Sequence, residues 1–313
     1  MPDRLTPEEA AALAGATSVR DLRRLSGGAS RETYSLVATF ADGSTQRLAL
    51  RRDRPGGVSA GAPAPEEALL RAAARAGVPV PPIVAGGEGY LVTAFVDGET
   101  IPRRILRDDE YAGARDVLAA QCGRALAGIH AIPVDDVPGL QSRDEVHAFR
   151  EVLDATGQAH PAFELAFRWL EAHRPPPTPG GERVVHGDFR NGNLIVGPDG
   201  LRAVLDWEIA HLGDPMEDLG WLCVKAWRFG VPSKRVGGFG DVDDLVRAYA
   251  EASGVDVDLS VLRWWEVLGT LKWGIMCIVQ AFTHLSGRQG PACRLDALER
   301  VSPRASRSLP SCW

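Results

Sequence analysis

The sequence has few cysteines, and none of them has a spacing that is typical of a metal site. Its five cysteines are scattered and odd in number, which argues against a disulfide framework and favours free thiols in a reducing compartment. The N-terminus lacks the basic segment followed by an apolar segment that marks a secretory signal. These absences together predict a cytoplasmic protein.

Positive charge is also limited: 35 Lys and Arg residues stand against 41 Asp and Glu residues, for a net charge of -6. A nucleic-acid partner is therefore not expected. Long apolar runs are missing as well. The most apolar stretch, Trp264 to Leu285, is interrupted by Glu266, Lys272 and Gln280, which favours a buried helix over a membrane span. The sequence therefore predicts no membrane partner.

A polar loop between two apolar strands carries the strongest chemical signal. The segment Val184–Val196 contains Asp188 and, five positions later, Asn193. The next apolar strand, Ala203–Leu205, leads directly into a second acid, Asp206. Two short strands with a loop between them can aim these three side chains into one small volume. Phosphoryl transfer needs such a set, with one carboxylate for the attacking hydroxyl and an Asn and an Asp for magnesium.

We therefore assign Asp188 as the catalytic base, which accepts or orients the proton of the acceptor hydroxyl. Asn193 and Asp206 are the predicted Mg²⁺ ligands, because their oxygen donors suit a small cation that is shared with the phosphates of ATP. The predicted cofactors are thus ATP and Mg²⁺, and the predicted partner is a small-molecule hydroxyl acceptor.

The order of these motifs resembles a known group of enzymes. His186-Gly187-Asp188, four further residues, Asn193, and then Asp206 and Asp218-Leu219-Gly220 are similar to the aminoglycoside phosphotransferase and choline kinase-like superfamily. The runs His-Gly-Asp-Phe-Arg, Val-Leu-Asp-Trp-Glu and Gly-Asp-Pro resemble a narrower set, related to the kinase-like domain of certain acyl-CoA dehydrogenases. The match covers roughly residues 20 to 285.

The resemblance implies an α+β, bilobal protein kinase-like fold, with a small antiparallel-sheet N-lobe and a larger, mainly helical C-lobe. The 313 residues are enough for two such units. We expect a nucleotide-binding lobe at residues 1–96 and a catalytic and acceptor-binding lobe at residues 97–287. The Arg-, Ser- and Pro-containing segment 288–313 is interpreted as a divergent or disordered tail, with a frameshifted terminus as the alternative.

A glycine-rich turn with Gly27, Gly28 and Ser30 lies between two predicted strands, where backbone amides can approach phosphates closely. The related kinases carry a phosphate-contacting lysine on the third strand. In this sequence the alternation of the strand places Arg51 there, with Arg52 on the opposite face. The arginine departs from the lysine pattern, but a guanidinium can bind phosphate bidentately.

Three further expectations come from the resemblance. A helix glutamate should pair with the cationic strand residue; Glu66 fits this position best, and Glu67 is the near alternative. Backbone groups around Ala94 and Val96, in the hinge between the lobes, should meet the edge of the adenine. Asp218 should accept hydrogen bonds from the backbone of the loop that carries Asp188.

Three functions remain open at this level. The first is an ATP-dependent small-molecule kinase. The second is a pseudokinase that binds nucleotide without turnover, which only the arginine at position 51 favours. The third is a metal-dependent phosphoesterase built from His186, Asp188 and Asp206, which lacks the further ligands that such a site needs.

The acceptor is less well defined. A basic and aromatic set follows the predicted metal ligand, and it favours a hydroxyacyl-CoA or another anionic acceptor over a polycationic aminoglycoside. This set comprises Lys225, Trp227, Arg228, Lys234 and Arg235. Glu208, Asp214 and Glu217 lie in the same region, so a true aminoglycoside phosphotransferase remains the alternative.

Overall fold

The computed structural model of the chain describes residues 5–25, 31–53 and 66–285. The predicted phosphate-binding turn with Gly27, Gly28 and Ser30 lies outside the described residues, and so does the predicted tail. The remaining elements fall into a sheet-containing part and a mainly helical part, as expected for an α+β protein.

The sheet-containing part comes first. Its elements are α1 (Pro7–Ala14), β1 (Ser18–Arg24), β2 (Arg31–Thr39), β3 (Thr45–Asp53), α2 (Glu66–Arg75), β4 (Ile83–Gly87) and β5 (Tyr90–Ala94). The five strands form one antiparallel sheet in the order β1-β2-β3-β5-β4. Helix α1 begins with a capping box in which Thr6 and Glu9 satisfy each other's backbone N–H groups.

Alternation along β3 fixes the direction of its arginines. Leu48 and Leu50 are buried against α1 and β2 in the core of the sheet-containing part. Successive side chains of a strand point to opposite faces, so Arg51 leaves the face of Leu50 and points toward α2. Arg52 returns to the other face, where its Nε lies 3.1 Å from Glu32 Oε2.

The second part of the chain is mainly helical. Its elements are α3 (Pro102–Arg107), α4 (Ala112–His130), α5 (Glu145–Ala155), α6 (Pro161–Ala172), β6 (Arg183–Val185), β7 (Leu194–Gly197), β8 (Gly200–Val204), β9 (His211–Gly213), α7 (Met216–Leu222), α8 (Val242–Ser253) and α9 (Leu259–Leu285). The short strands form two antiparallel pairs, β6 with β9 and β7 with β8. Within the described ranges, no helix combines the length and the apolar character that a membrane crossing requires.

Helices α4 and α8 approach each other closely at Gly123. A Cβ atom at this position would lie 2.5 Å from the carbonyl oxygen of Leu245 and 3.0 Å from the amide nitrogen of Tyr249. Both atoms belong to the backbone of α8 and cannot rotate out of the way. The absence of a side chain at Gly123 therefore sets the distance between the two helices.

We expect Gly123→Ala to lower the free energy of unfolding by about 1–3 kcal/mol, because the added methyl group overpacks a rigid helix contact. Gly113→Ala is the matched control, since it lies in the same helix and its nearest heavy neighbour would be 3.8 Å away. It should leave stability unchanged or raise it slightly. Chemical denaturation of both variants checks this, and equal stability of the two would contradict the packing argument.

Candidate active site

The loop 186–193, which connects β6 to β7, is anchored to α7 by Asp218. Asp218 Oδ2 accepts the backbone N–H of His186 at 2.7 Å, and Oδ1 accepts that of Gly187 at 2.9 Å. Gly187 has a φ of 77°, and a Cβ atom there would lie 2.8 Å from the carbonyl oxygen of Ile209. The loop can therefore take this path only with glycine at position 187.

Asp218 is itself held by His130 of α4, which is held in turn by Tyr249 of α8. His130 Nε2 lies 3.2 Å from Asp218 Oδ2, and His130 Nδ1 lies 2.9 Å from the hydroxyl of Tyr249. Burial acts to raise the pKa of Asp218, but the hydrogen bonds from His130 and from the loop backbone outweigh it and lower that pKa. The carboxylate thus stays ionised and continues to accept from the loop.

His186 links the loop to the strand that carries the second acid. Its ring is buried; Nδ1 accepts the backbone N–H of Asp188 at 3.2 Å, and Nε2 donates to the carbonyl oxygen of Leu205 at 3.0 Å. Burial lowers the pKa of His186, which fits a neutral ring with one donor and one acceptor. His186 thereby fixes Asp188 relative to Asp206, the residue after Leu205.

The carboxylate of Asp188 has three side-chain donors around it. Trp221 Nε1 donates to Oδ1 at 2.8 Å, and Asn193 Nδ2 donates to Oδ2 at 2.7 Å. Arg190 Nε lies 3.0 Å from Oδ1 and 3.1 Å from Oδ2. Asp188 is therefore rigidly oriented, with 18% of its side chain still exposed to solvent.

Asn193 and Asp206 meet the chemical requirements of a magnesium site. Because Asn193 uses its amide nitrogen on Asp188, its side-chain oxygen is the atom left for a cation. The backbone N–H of Leu205 binds the Asn193 carbonyl at 2.8 Å, which brings Asp206 next to Asn193. Asp206 has a φ of 67°, an uncommon backbone conformation for a residue other than glycine. Two hard oxygen donors at adjacent positions fit Mg²⁺.

Arg51 connects the sheet-containing part to this site. Its Nη1 lies 2.5 Å from Glu66 Oε1, and its Nη2 lies 3.2 Å from Asp206 Oδ1. Arg31 binds the other oxygen of Glu66. The neighbouring Glu67 instead binds Arg71 in the same helix, so Glu66 rather than Glu67 pairs with Arg51.

The predicted hinge residues lie at the end of β5. The N–H of Ala94 donates to the carbonyl oxygen of Pro82 at 2.7 Å, and the N–H of Phe95 donates to the backbone carbonyl oxygen of Arg47 at 2.9 Å. Ala94 could therefore offer an adenine ring only its carbonyl oxygen. The backbone of Val96 follows directly. The chain then returns to the site through a two-way backbone bridge between Glu99 and Val196 of β7.

A cavity of about 260 Å³ opens beside both Asp188 and Asp206. Much of its wall is apolar, and the side chains that form this part are Phe149, Ile209, Trp221 and Met276. Charged side chains line the rest, namely Arg143, Glu145, Glu208, His211 and Lys272. The predicted catalytic carboxylate of Asp188 therefore faces a cavity with both apolar and charged walls.

Buried charges at the wall of this cavity neutralise one another. Glu145, His211 and Glu217 place their ligand atoms within 4.8 Å of one another, a spacing that could hold a metal ion. However, Lys272 binds Glu145, and its Nζ lies 2.9 Å from Glu217 Oε1. Burial acts to lower the pKa of Lys272, but the two carboxylates raise it overall. The lysine ammonium therefore takes the place of a metal cation.

His211 belongs to the same buried group, with its Nε2 3.3 Å from Glu217 Oε2. Burial acts to lower the pKa of His211, but the hydrogen bond to Glu217 and the charges of Glu217 and Glu145 raise it overall. Arg143 Nε lies 2.8 Å from Glu145 Oε1, although Oε1 has no aligned hydrogen bond among the described residues. Both Glu145 and Glu217 are thus already paired with cations.

The basic and aromatic set that follows the second acid does not form the predicted cationic wall. Arg228 and Arg235 both bind the buried carboxylate of Glu266, at 2.6 and 2.7 Å. Lys234 binds Asp241 at 2.6 Å, and Trp227 is buried. That expectation is wrong for these four side chains, because Glu266 and Asp241 neutralise the three cations and Trp227 lies in the interior.

Sequence reasoning missed several residues that the fold brings to the site. Trp221 and Arg190 donate to Asp188, and Arg143 and Lys272 line the adjacent cavity. A signal existed for Lys272, because a lysine within an apolar helix must find a buried partner. No local signal distinguishes Arg143 from the many other arginines of the chain.

Comparison with known proteins identifies the family of the chain. The profile described as "Phosphotransferase enzyme family" matches residues 21–265. Acyl-CoA dehydrogenase family member 10 of Mus musculus is 31% identical over 227 residues, which are 66% of this chain and 20% of that protein. The chain thus spans about a fifth of the length of this relative.

Solved structures share the fold. Macrolide 2'-phosphotransferase of Brachybacterium faecium has a TM-score of 0.63 at 20% identity, covering 94% of this chain and 97% of that one. A spectinomycin phosphotransferase in complex with ADP and spectinomycin has a TM-score of 0.62 at 14% identity, covering 94% and 91%. These similarities confirm the predicted bilobal, kinase-like α+β fold. Since the family profile also covers most of the residues, the chain belongs to the phosphotransferase enzyme family.

Proposed function

We propose that this phosphotransferase is an ATP- and Mg²⁺-dependent small-molecule kinase that transfers the γ-phosphoryl group to an acceptor hydroxyl. The observation that carries the proposal is that Asn193 Nδ2 donates to Asp188 Oδ2 at 2.7 Å and that Asp188 and Asp206 line the same cavity. A carboxylate for the hydroxyl and a metal-binding Asn and Asp are the parts that phosphoryl transfer requires.

Each residue has a distinct part in the proposed reaction. Asp188 would orient the acceptor hydroxyl and take its proton, while Trp221 holds the carboxylate in place. Magnesium held by Asn193 and Asp206 would neutralise charge on the phosphates. His186 and Asp218 set the path of the loop and take no part in the chemistry.

The nucleotide would bind mainly to the first lobe, which we assign to residues 1–96, and the acceptor to residues 97–287. Gly27, Gly28 and Ser30 would cover the phosphates, and Arg51, braced by Glu66, would contact them. The Ala94 carbonyl and the Val96 backbone would meet the adenine edge. The ADP complex of a structural neighbour supports nucleotide binding by this fold.

Asp188→Asn should lower turnover by at least about a hundredfold while leaving nucleotide affinity nearly unchanged, because only the acceptor side depends on this carboxylate. Asp206→Ala should instead weaken Mg-ATP binding itself, since it removes a metal ligand. Steady-state rates and calorimetric nucleotide titrations of both variants measure the two effects. An equal loss of nucleotide binding in both would remove the assignment of roles.

Arg51→Ala should raise the ATP concentration needed for half-maximal rate by about tenfold, because it removes a charge-assisted contact to phosphate. Arg51→Lys should restore only part of this loss, since a point charge replaces a bidentate group. Arg52→Ala is the matched control on the opposite face of β3, and it should leave the ATP dependence unchanged. An unaltered ATP requirement in Arg51→Ala would argue for a pseudokinase or for a purely structural arginine.

The cavity beside Asp188 favours an acceptor with an apolar body and an anionic group, such as a hydroxyacyl-CoA. The lining carboxylate Glu145 and the neighbouring Glu217 are already paired with Lys272, so they offer little to a polycationic aminoglycoside. The apolar wall would instead accommodate a hydrocarbon chain. Arg143, with 43% of its side chain exposed, would meet the anionic group.

An aminoglycoside acceptor stays the second candidate, because a curated relative, aminoglycoside 3'-phosphotransferase of Escherichia coli, is 25% identical over half of this chain. The hydrolase alternative has no comparable support. Among the described residues, the candidate cluster of metal ligands is Glu145, His211 and Glu217, where Lys272 already supplies the cation.

Arg143→Gln should weaken binding of an anionic acceptor by about tenfold and spare Mg-ATP, because it removes the exposed cation of the cavity. Added salt should reduce acceptor binding in the wild type more than in the variant. Arg174→Gln is the matched control, since Arg174 is similarly exposed and pairs with Asp144, the residue that caps the start of α5. Rates with kanamycin-like, choline-like and hydroxyacyl-CoA acceptors measure the preference, and efficient turnover of kanamycin alone would refute it.

A further inference from the structure

Arg190 occupies an unusual position inside the 186–193 loop. Its Nε binds both oxygens of Asp188, and its guanidinium carbon lies 4.6 Å from the centre of the Trp227 ring. A Cβ atom at Gly192 would lie 2.6 Å from Arg190 Nη1. The guanidinium therefore lies across the turn that separates Asp188 from Asn193.

Only part of the guanidinium is used in these contacts. Within the described part of the chain, Arg190 Nη1 and Nη2 make no hydrogen bond, and 24% of the side chain is exposed. A guanidinium has a rigid fork of donors, so a group held through Nε still presents its two terminal nitrogens to a second oxyanion. Trp227, buried and packed against the guanidinium, limits the other orientations it can take.

We propose that Arg190 is a catalytic residue that contacts the transferring phosphoryl group through Nη1 and Nη2 while its Nε orients Asp188. This inference rests on the proposed kinase function. The group in transfer must pass between the hydroxyl oriented by Asp188 and the metal-bound phosphates at Asn193 and Asp206. Arg190 lies between these two places in the loop, and its terminal donors match the oxygens of a phosphoryl group.

The reaction balances without a further reactant. The acceptor oxygen forms a bond to the γ-phosphorus, and the bond from that phosphorus to the β,γ-bridging oxygen breaks, with its electron pair leaving on ADP. The hydroxyl proton passes to Asp188. Negative charge accumulates on the oxygens of the phosphoryl group during transfer, and a preorganised cation at that point lowers the barrier.

The test compares full-length wild type, Arg190→Gln and Arg190→Lys by calorimetric titration with Mg-ADP, with and without fluoroaluminate, which mimics the phosphoryl group in transfer. Fluoroaluminate should tighten Mg-ADP binding to the wild type by about a hundredfold, and Arg190→Gln should lose most of this gain. Arg190→Lys should retain part of it. Mg-ADP alone should bind all three equally. Arg107→Gln, at an exposed site, is the control that should behave as the wild type.

The outcomes distinguish a failure of the proposed kinase function from a failure of the proposed role of Arg190. If wild type does not bind Mg-ADP, the kinase function itself fails and this inference fails with it. If wild type binds Mg-ADP and Arg190→Gln keeps the full fluoroaluminate gain, the kinase function stands and the role of Arg190 is refuted. Thermal unfolding verifies that Arg190→Gln is folded. If Arg190→Gln does not fold, Arg190→Lys is the deciding variant. The inference is then overturned if Arg190→Lys keeps the full fluoroaluminate gain in Mg-ADP affinity and hydrolyses ATP with water at the rate of the wild type.

Discussion

The hydrogen bonds from two consecutive backbone amides to the buried carboxylate of Asp218 are the constraint on which the site depends. They fix the first two residues of the 186–193 loop, and the positions of the later side chains in the loop depend on this anchor. Asp218 is held in turn by His130 of α4, which binds Tyr249 of α8. The close contact of these two helices at Gly123 therefore bears on the geometry of the reacting groups as well as on stability.

Much of the reacting site could be predicted because its parts are local. Asp188 and Asn193 share one loop, and Asp206 follows β8, which pairs directly with the preceding strand β7, so short-range spacing determines where they meet. Alternation along β3 correctly placed Arg51 on the face of Glu66 and Arg52 on the other. The predicted phosphate-binding turn stays a prediction, as do the roles of these residues.

The cavity beside Asp188 could not be predicted in the same way, because the residues that line it come from segments far apart in the chain. Arg143, His211 and Lys272 belong to α5, β9 and α9 or their margins, and they meet only through tertiary packing. The basic run after the second acid was misleading for the same physical reason. Whether an arginine faces a ligand depends on which carboxylate reaches it, and Glu266 reaches two of them.

Arg51 also has a consequence for how charge is handled in the cleft. Glu66 and Asp206 belong to different lobes, and a single guanidinium lies against both carboxylates. The arginine thus serves as a tethered internal counter-ion, which spares the protein the cost of two like charges facing each other. Under the proposed function, Asp206 would exchange the guanidinium of Arg51 for a divalent cation, and the guanidinium would then be available to the phosphates of the nucleotide. Binding of Mg-ATP would then be an exchange of counter-ions rather than the filling of a site that carries no counter-ion.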